Sequence, residues 1–276
     1  MWQCPLCQHP LTTSGTTWQC DNRHSFDQAK SGYVNLLPVQ NKKSRHPGDD
    51  KAMLQARRSF HLAQGYMPLM QHLGACVVKH LPAGLTPVQL YDAGCGEGSY
   101  VAFIATYLQQ AGVPVTAAGS DIAKAGVEMA ARRYPQADFV VASSFALPVA
   151  DASLDVVLQV FAPGSEQEYR RVLSSEGILV TVDPGPDHLS ELKAKVYDNP
   201  QQHSAPSMLP APWQMVEESA LGFTVDLSDV SICSALLGMT PYVWKLSEHK
   251  RAEMGRMLTS VSADFVVRVW RVDASE

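Results

Sequence analysis

An alternation of strand-like and helix-like segments begins at residue 88 and constrains the fold more than any other feature of this sequence. The strand-like segments are apolar runs that read VQLYDAGCG, PVTAAGSDIA, ADFVVASS, LDVVLQVFA and GILVTVDP. Helical stretches, SYVAFIATYLQQ, KAGVEMAARRY and EQEYRRVLS, follow the first, second and fourth of them. Strands that alternate with helices pair in parallel and are covered by helices on both faces. The sequence therefore predicts a doubly wound α/β domain of the Rossmann-like kind.

The first of these strands runs into a glycine-rich turn, DAGCGEG at 92–98. Ligands of doubly wound sheets bind at the carboxyl ends of the strands, where this turn falls. Gly94 and Gly96 would let the backbone pass close to a ligand, and Gly98 would open the next helix. The order G-x-G-x-G differs from the dinucleotide order G-x-G-x-x-G, and the acid Asp92 precedes it. A carboxylate there repels a pyrophosphate but can pair with S-adenosylmethionine, which carries a sulfonium and an ammonium.

Polar residues also end the next two predicted strands. Asp121 ends PVTAAGSDIA, and its carboxylate can accept hydrogen bonds from both hydroxyls of a ribose. The alternative role is an N-cap for the segment that starts at Ile122, and capping and binding are compatible. Adenosylmethionine-binding domains often carry an acid beside the adenine at the end of the third strand. Ser143 stands there, so an adenine contact would use its hydroxyl or backbone.

The amino-terminal segment CPLCQHPLTTSGTTWQCDNRH holds three cysteines and a histidine in the order C-x2-C-x12-C-x3-H. Cys4 and Cys7 would form one metal-binding knuckle and Cys20 and His24 a second, joined by a hairpin rich in Thr, Ser and Gly. His9 lies nearby but suits a ligand less well. The alternatives are reduced cysteines beside an incidental histidine, or a redox C-x-x-C. Four ligands at this spacing favour zinc, which we expect to stabilise the module and to contribute no chemistry.

Charge is unevenly distributed over the 276 residues. The net charge is −5, which by itself indicates no nucleic-acid partner, but residues 1–60 contain eight lysines and arginines against four acids, a local balance of +4. No run of eighteen apolar residues is present, and the amino terminus has no secretion signal. Of the six cysteines, three lie within the first 20 residues and three are scattered over the rest of the chain, which does not resemble a disulfide framework. We therefore expect a cytoplasmic protein without a membrane partner.

Several motifs together carry a closer resemblance that covers nearly the whole chain. They are CPLC with C-x3-H, FD-x-AK-x-GYVNLLP, PGD, QARR-x-F, DAGCGEG and PGPDHL-x-EL. In this combination the chain resembles the RlmA-type 23S ribosomal RNA guanine-N1-methyltransferases, a family that includes the tylosin-resistance methyltransferases. The resemblance implies a class I S-adenosylmethionine-dependent methyltransferase domain preceded by a small zinc-binding domain. We divide the chain into a zinc-binding RNA-recognition domain at 1–37, a basic connector with helices at 38–87, and the methyltransferase domain at 88–276.

The same resemblance implies roles for single residues. It makes Cys4, Cys7, Cys20 and His24 the zinc ligands, and it sets Tyr66, Gly96, Glu97 and His188 against the adenosylmethionine. From spacing alone, Tyr66 could equally be a half-buried aromatic at a helix end, and a lone histidine such as His188 is more often a cap or a surface residue. Guanine N1 must lose its proton during methylation. Asp183 and His188, in TVDPGPDH, are the candidates to accept it or to hydrogen-bond the base.

The RNA partner implied by the family is a hairpin loop of 23S ribosomal RNA. The two branches methylate neighbouring guanines, 745 and 748, and the connector LPVQNKKSRHPGD resembles the branch that acts at 745. Lys42, Lys43 and Arg45 are expected to contact phosphates, and Arg57 and Arg58 are either RNA contacts or solvated helix charges.

Toward the carboxyl terminus, Met239, Tyr242 and Trp244 either stack on RNA or pack in the core, and DFVVRVWRV is expected to be an edge strand. Two other functions stay open on the sequence: methylation of a small molecule with a purely structural zinc module, and RNA binding without catalysis. The sequence does not decide the oligomeric state, and a homodimer is kept as an alternative.

Overall fold

The computed structural model describes residues 1–41, 47–82, 84, 87–241 and 246–273. The strands are β1 (Thr12–Ser14), β2 (Thr17–Gln19), β3 (Ser25–Asp27), β4 (Val34–Asn35), β5 (Val88–Ala93), β6 (Val115–Asp121), β7 (Asp138–Val141), β8 (Leu154–Val160), β9 (Leu173–Pro184), β10 (Trp213–Asp226) and β11 (Ser260–Val272). The helices are α1 (Lys51–Leu62), α2 (Met67–His80), α3 (Ser99–Gln110), α4 (Lys124–Arg133), α5 (Glu166–Val172), α6 (Ser190–Val196), α7 (Val230–Met239) and α8 (Glu248–Met257). The predicted alternation of strands and helices from residue 88 onward is confirmed.

Two sheets organise these elements. The small antiparallel sheet has the order β1-β2-β3, and the large sheet has the order β10-β11-β9-β8-β5-β6-β7-β4. All neighbours from β9 to β4 are parallel, whereas β11 is antiparallel to both β9 and β10. The chain winds outward from β5 to β7 on one side and from β8 to β9 on the other. The order of strands therefore reverses between β5 and β8, and in open α/β sheets the ligand crevice lies outside the carboxyl ends of the strands at such a point.

The sequence-based expectation of an edge strand at DFVVRVWRV is wrong. This segment belongs to β11, which lies inside the sheet between β9 and β10. Its outer neighbour β10 pairs with it from Trp213, opposite Val272, to Asp226, opposite Ser260. Only Trp213 and Val225 of β10 are buried. Half-buried and exposed residues alternate along β10 from Glu217 onward, but the half-buried Glu217 and Ser219 are polar, so the apolar alternation by which strands are recognised in sequence is short.

Alternate residues of the central strands pack into different cores, because successive side chains of a strand point to opposite faces of the sheet. Leu90, Val156 and Val180 belong to the core that also contains apolar residues of α2, α3 and α7. Their neighbours Tyr91, Val157 and Leu179 belong to a second core that includes Tyr169 of α5 and Trp270 of β11. Both faces of the sheet are thus covered.

The amino-terminal module packs into this second core. Trp2, Cys4, Leu11 and Cys20 are buried there together with residues of β5, β7 and β8. The Trp2 ring meets the Tyr91 ring edge-on with centroids 6.1 Å apart. Further along, β4 extends the large sheet by pairing with β7. In the described part of the chain, none of the helices combines the length and hydrophobicity that crossing a membrane requires.

Candidate functional site

Four predicted metal ligands of the amino-terminal module lie together. One donor atom from each of Cys4, Cys7, Cys20 and His24 falls within 4.8 Å of every other. The Cys7 and Cys20 sulfurs are 3.6 Å apart, and Nδ1 of His24 lies 3.4 Å from the Cys4 sulfur and 3.5 Å from the Cys20 sulfur. A tetrahedral zinc ion with Zn–S about 2.3 Å and Zn–N about 2.0 Å separates its ligand atoms by about 3.5 to 3.8 Å. The donor set and its spacing therefore fit zinc.

Local turns bring these ligands together. The Gln8 amide donates to the Cys4 carbonyl, and the Arg23 amide donates to the Cys20 carbonyl. Gln8 and Arg23 both have a φ of 61°. The chain therefore turns directly after Cys7 in the first ligand pair and directly before His24 in the second. His9 is outside the cluster, with its Nδ1 4.0 Å from an Asp21 carboxylate oxygen on the surface. The sequence was right to leave His9 out of the ligand set.

A second site is built on the glycine-rich turn between β5 and α3. The amides of Gly94 and Cys95 donate to the Ser120 carbonyl at 2.8 and 2.9 Å, which ties the turn to β6. Gly94 has a φ of 94°, and a Cβ on it would lie 2.4 Å from the Ala162 Cβ. Gly98 has a φ of 87°, and a Cβ there would lie 2.9 Å from the Ala130 Cβ. Positive φ and close neighbours together explain why glycine occupies both positions.

Asp92 lies in β5, just before Gly94 of this turn, and its side chain is buried. It is 1% exposed, and neither carboxylate oxygen has a hydrogen-bond partner among the described residues. Burial, with the charges of Asp121 and Glu97, raises the pKa of Asp92 to about 8. A buried carboxyl group without a partner is costly, and a cationic ligand would relieve that cost. This orphaned carboxyl group fits the cation that the sequence predicted.

Asp121 lies beside the turn at the end of β6. Its Oδ2 accepts the Gly96 amide at 2.8 Å, and its Oδ1 accepts the Ala123 amide at 2.7 Å. The side chain does not cap α4, whose N-cap residue is Ala123. A carboxylate has about four acceptor positions, so each oxygen retains capacity for a further donor such as a ribose hydroxyl. Ser143, just beyond β7, accepts the Phe145 amide at 3.2 Å through its hydroxyl.

Glu97 is held mainly by helix α1. One carboxylate oxygen lies 3.0 Å from Nδ1 of His61, and the other accepts the Ser99 hydroxyl at 2.9 Å. Arg58 Nε is 3.8 Å from that second oxygen. Burial alone would raise the pKa of Glu97, but the His61 hydrogen bond and charge, with Ser99 and Arg58, lower it below its ordinary value. Glu97 is thus a buried carboxylate, and both of its oxygens are already hydrogen-bonded to side chains of the protein.

Tyr66 and His188 lie together in an aromatic cluster. The Tyr66 hydroxyl is 3.5 Å from Nε2 of His188, and the Phe265 ring lies 5.1 Å from the Tyr66 ring and 4.7 Å from the His188 ring. His188 Nδ1 accepts the Asp264 amide at 3.3 Å. Burial, with the charges of His203 and Lys193, lowers the pKa of His188 to about 3. Since Nδ1 is an acceptor, a neutral ring carries its hydrogen on Nε2.

Asp183 lies one residue before the end of β9, paired in register with Val266 of β11. Burial raises its pKa, and the charge of Arg268 opposes this.

Arg57 pairs with Asp49 at 2.5 Å, and Arg58 donates to the Met129 carbonyl at 2.7 Å, so neither is simply a solvated charge. Met239 packs against the core. The other predicted RNA contacts, Lys42, Lys43, Arg45, Tyr242 and Trp244, lie outside the described residues.

Sequence reasoning missed two residues of this region. His61 is buried between Glu97 and the Tyr100 ring, whose centroid is 5.1 Å away. Its only signal was its place in QARRSFHL, next to the motif that carried the family resemblance. Phe161 follows β8 directly, with an exposed side chain and a φ of 54°. No composition or spacing rule points to such a residue.

Comparisons with known proteins agree with this architecture. Residues 2–45 match the family model described as "RlmA, N-terminal", and residues 90–177 match the model "Methyltransferase domain". The 23S rRNA (guanine(748)-N(1))-methyltransferase of Streptomyces fradiae is 32% identical over 88% of this chain and 85% of that protein. A candidate 23S rRNA (guanine-N1)-methyltransferase of Micromonospora griseorubida is 35% identical over 69% of this chain and 68% of its own length.

A further relative spans almost the complete chain. It is a candidate 23S rRNA (guanine-N1)-methyltransferase of Bacillus subtilis strain 168, 29% identical over 98% of this chain and 95% of its own length. The predicted zinc module, the adenosylmethionine-dependent fold and the two cofactors, S-adenosylmethionine and zinc, agree with these matches. The chain belongs to the family of zinc-containing, S-adenosylmethionine-dependent 23S rRNA (guanine-N1)-methyltransferases.

Proposed function

We propose that this protein methylates N1 of guanine 745 in a hairpin loop of 23S ribosomal RNA. The observation that carries the proposed methyl transfer is the buried carboxyl group of Asp92, which has no hydrogen-bond partner among the described residues, in a chain whose relatives are named as 23S rRNA (guanine-N1)-methyltransferases. In this proposal residues 1–37 form the zinc-binding RNA-recognition domain, 38–87 the connector with its helices, and 88–276 the methyltransferase domain.

S-adenosylmethionine supplies an electrophilic methyl group on a sulfonium. The protein's part is to bind and orient the two reactants and to exclude water. Asp92 would face the cationic end of the cofactor, while Gly94, Gly96 and Gly98 leave room for it along the backbone of the turn. Further contacts would come from Asp121 to the ribose, from Ser143 to the adenine, and from Tyr66, Glu97 and His188. Since one Glu97 oxygen is hydrogen-bonded to His61 and the other to Ser99, its contact with the cofactor would use the remaining acceptor positions of these oxygens.

The acceptor nitrogen of guanine carries a proton at neutral pH, and we assign its removal to Asp183. Burial raises the pKa of Asp183, which brings this carboxylate closer to the basicity that proton transfer requires. His188 has a depressed pKa and an Nδ1 already accepting a backbone amide, so its Nε2–H would donate to the base in place of its 3.5 Å contact with the Tyr66 hydroxyl. Asp183 would therefore accept the proton, and His188 would hold the guanine by a hydrogen bond.

The choice of position 745 rests on the connector. Lys42, Lys43 and Arg45 precede a Pro-Gly turn in LPVQNKKSRHPGD, and phosphate contacts of this type set register without reading bases. Position 748 is the competing target, because the Streptomyces fradiae relative is named for it. The same catalytic domain could methylate guanine 745 or guanine 748. The choice between the two positions would therefore depend on how the RNA docks.

Primer extension on ribosomal RNA separates these alternatives, because a methyl on guanine N1 blocks Watson–Crick pairing and stops reverse transcription. RNA from a strain that lacks the protein is compared with RNA from the same strain after re-expression. The proposal requires a stop that reports position 745 and depends on the protein. A stop that reports 748 would assign the chain to the other branch, and identical patterns in both strains would remove ribosomal RNA as the substrate.

A further inference from the structure

Phe161 combines two unusual properties at the centre of the sheet. It is the first residue after β8, its φ of 54° is in the left-handed region, and 44% of the residue is exposed. Few residues other than glycine adopt this conformation, and such strained backbone occurs preferentially at ligand sites. The Phe161 ring is therefore only partly covered by its neighbours Phe265 and Tyr100, and part of it is open to solvent.

The backbone around Phe161 is fixed from several sides. The Phe161 amide donates to the Val182 carbonyl at 3.2 Å. The Gln159 side chain donates to the Ala162 carbonyl at 2.6 Å, and the Ser144 hydroxyl donates to the Pro163 carbonyl at 2.6 Å. These three bonds hold the strained segment in one conformation. The ring is therefore presented at a defined place, as an aromatic that binds a planar ligand must be.

Phe161 lies on the side of the crevice where the methyl acceptor, the guanine, would bind. Among the proposed cofactor residues, Asp92 lies near the end of β5, Asp121 ends β6 and Ser143 follows β7. Phe161 follows β8, on the other side of the switch point. Ala162 nevertheless lies against the glycine-rich turn, since a Cβ on Gly94 would come within 2.4 Å of its Cβ. Phe161 is thus next to the cofactor turn but outside the row of strand ends assigned to the adenosine.

The Phe161 ring also adjoins the residues assigned to the guanine. Its centroid is 5.4 Å from the Phe265 ring, which in turn lies 4.7 Å from the His188 ring. On its other side the Tyr100 ring is 6.3 Å away. An exposed aromatic next to a hydrogen-bond donor for a base provides what an unstacked base requires, namely a flat apolar face and a polar edge contact.

We propose that Phe161 stacks on the target guanine after the base leaves its stack in the RNA, and so directs its N1 edge toward the methyl group. The proposal rests on the function proposed above and adds a substrate-binding residue to it. Stacking recognises the planar face of a base and leaves recognition of guanine to hydrogen bonds from other residues. Phe161 therefore contributes affinity and alignment rather than base identity.

Two variants test this assignment with the zinc-loaded full chain and a 23S hairpin transcript. Phe161→Leu keeps an apolar side chain but removes the aromatic face, and it should lower kcat/KM for RNA by about 5- to 150-fold, the range of one stacked base. Phe161→Tyr should stay close to wild type. Affinity for S-adenosylmethionine and the thermal midpoint should not change in either variant. Met257→Leu, at an exposed residue at the end of α8, serves as the control.

A second readout does not depend on turnover. 2-Aminopurine in place of the target guanine fluoresces when unstacked, so its emission in the complex should be lower with wild type than with Phe161→Leu. Equal emission, or unchanged kcat/KM in the leucine variant, would overturn the assignment, as would loss of adenosylmethionine affinity, which would make Phe161 a cofactor contact. A wild-type enzyme inactive on every 23S transcript would instead contradict the proposed function itself.

Discussion

His61 Nδ1 lies 3.0 Å from a carboxylate oxygen of Glu97, and both side chains are buried. This contact joins helix α1 to the glycine-rich turn across 36 residues of sequence. The connector helix is therefore attached directly to the cofactor turn. Because removing one partner of a buried hydrogen bond leaves the other partner unsatisfied, this contact has a measurable effect on stability.

Glu97→Gln should lower the free energy of unfolding at pH 7 by about 1–3 kcal/mol, the cost of a weakened buried hydrogen-bond network. The lowered pKa of Glu97 adds a pH dependence. Its stabilising contribution is complete above the ordinary glutamate pKa of about 4.3 and is lost as pH falls through the lower native value. Urea unfolding from pH 7 to pH 3 should therefore show a steeper acid loss in wild type than in the variant.

The matched control is Glu128→Gln, which removes an exposed ion pair with Arg132. Exposed pairs contribute about 0–1 kcal/mol, so this variant should be close to wild type. If the two glutamine variants lose equal stability, the pair between His61 and Glu97 does not have the role described.

We predict that binding of S-adenosylmethionine releases a proton from the carboxyl group of Asp92. Its pKa of about 8 in the free protein means that the carboxyl group is mostly protonated at pH 7, and a cationic ligand favours the ionised form. Affinity for S-adenosylmethionine should rise from pH 6 to pH 8, and Asp92→Asn should bind more weakly and without this dependence. Calorimetry in two buffers with different ionisation enthalpies measures the released protons. Binding by wild type without proton release would contradict the assignment.

The raised pKa of Asp92 makes the free energy of unfolding depend on pH in the direction opposite to that of Glu97. Its pKa is raised in the native state, so the folded free protein binds more protons than the unfolded chain between the ordinary aspartate value of about 3.9 and the native value of about 8. Stability should fall as pH rises through this window. Asp92→Asn should therefore unfold at a higher temperature than wild type at pH 8 without cofactor.

Gly94→Ala separates steric contact from backbone strain when it is compared with Gly112→Ala. Both glycines have positive φ, 94° and 78°, but the new methyl group would meet the Ala162 Cβ only at position 94. Gly112→Ala should cost about 1 kcal/mol, whereas Gly94→Ala should cost about 2–4 kcal/mol and abolish cofactor binding. Thermal unfolding and adenosylmethionine titration check this. Equal effects at the two positions would show that the turn tolerates a side chain next to Ala162.

Zinc should stabilise more than its own module, because Cys4 and Cys20 share a core with Tyr91 and Val140 of the large sheet. His24→Gln should lose the metal and lower the thermal midpoint of the complete chain. His9→Gln should retain one zinc per chain and unfold like wild type, since His9 lies outside the cluster. Metal analysis and calorimetry measure both quantities. A separate low-temperature transition for the amino-terminal module would contradict the shared core.

Periodicity was sufficient to predict the parallel part of the fold. The strands β5 to β9 are long apolar runs, and spacing alone indicated the two ligand pairs of the zinc cluster. The position of β11 was predicted wrongly because its partner β10 begins more than thirty residues earlier in the chain and buries few side chains. The packing of the zinc module against the large sheet could not be predicted from the sequence. Only the tertiary structure brings Trp2 against Tyr91 in β5, which leads into that turn.

The environments of single residues were less predictable than the residues themselves. Asp92 was expected to meet a cation, but its lack of any partner within the described chain depends on packing from several elements. Glu97 was expected at the cofactor, yet the partner that engages it is His61, which carries no motif of its own. Phe161 depends on a backbone conformation that is fixed by hydrogen bonds from Gln159 and Ser144 to the segment after β8.

Methylation of guanine 745 is tested by transfer of a labelled methyl group from S-adenosylmethionine to 23S ribosomal RNA by the purified zinc-loaded protein. The RNA is digested, and the modified nucleoside and its position are identified by mass spectrometry of the hairpin fragment. We expect N1-methylguanosine at position 745, lost with Asp92→Asn. Label on no ribosomal guanine, or on a small-molecule acceptor alone, would contradict this expectation.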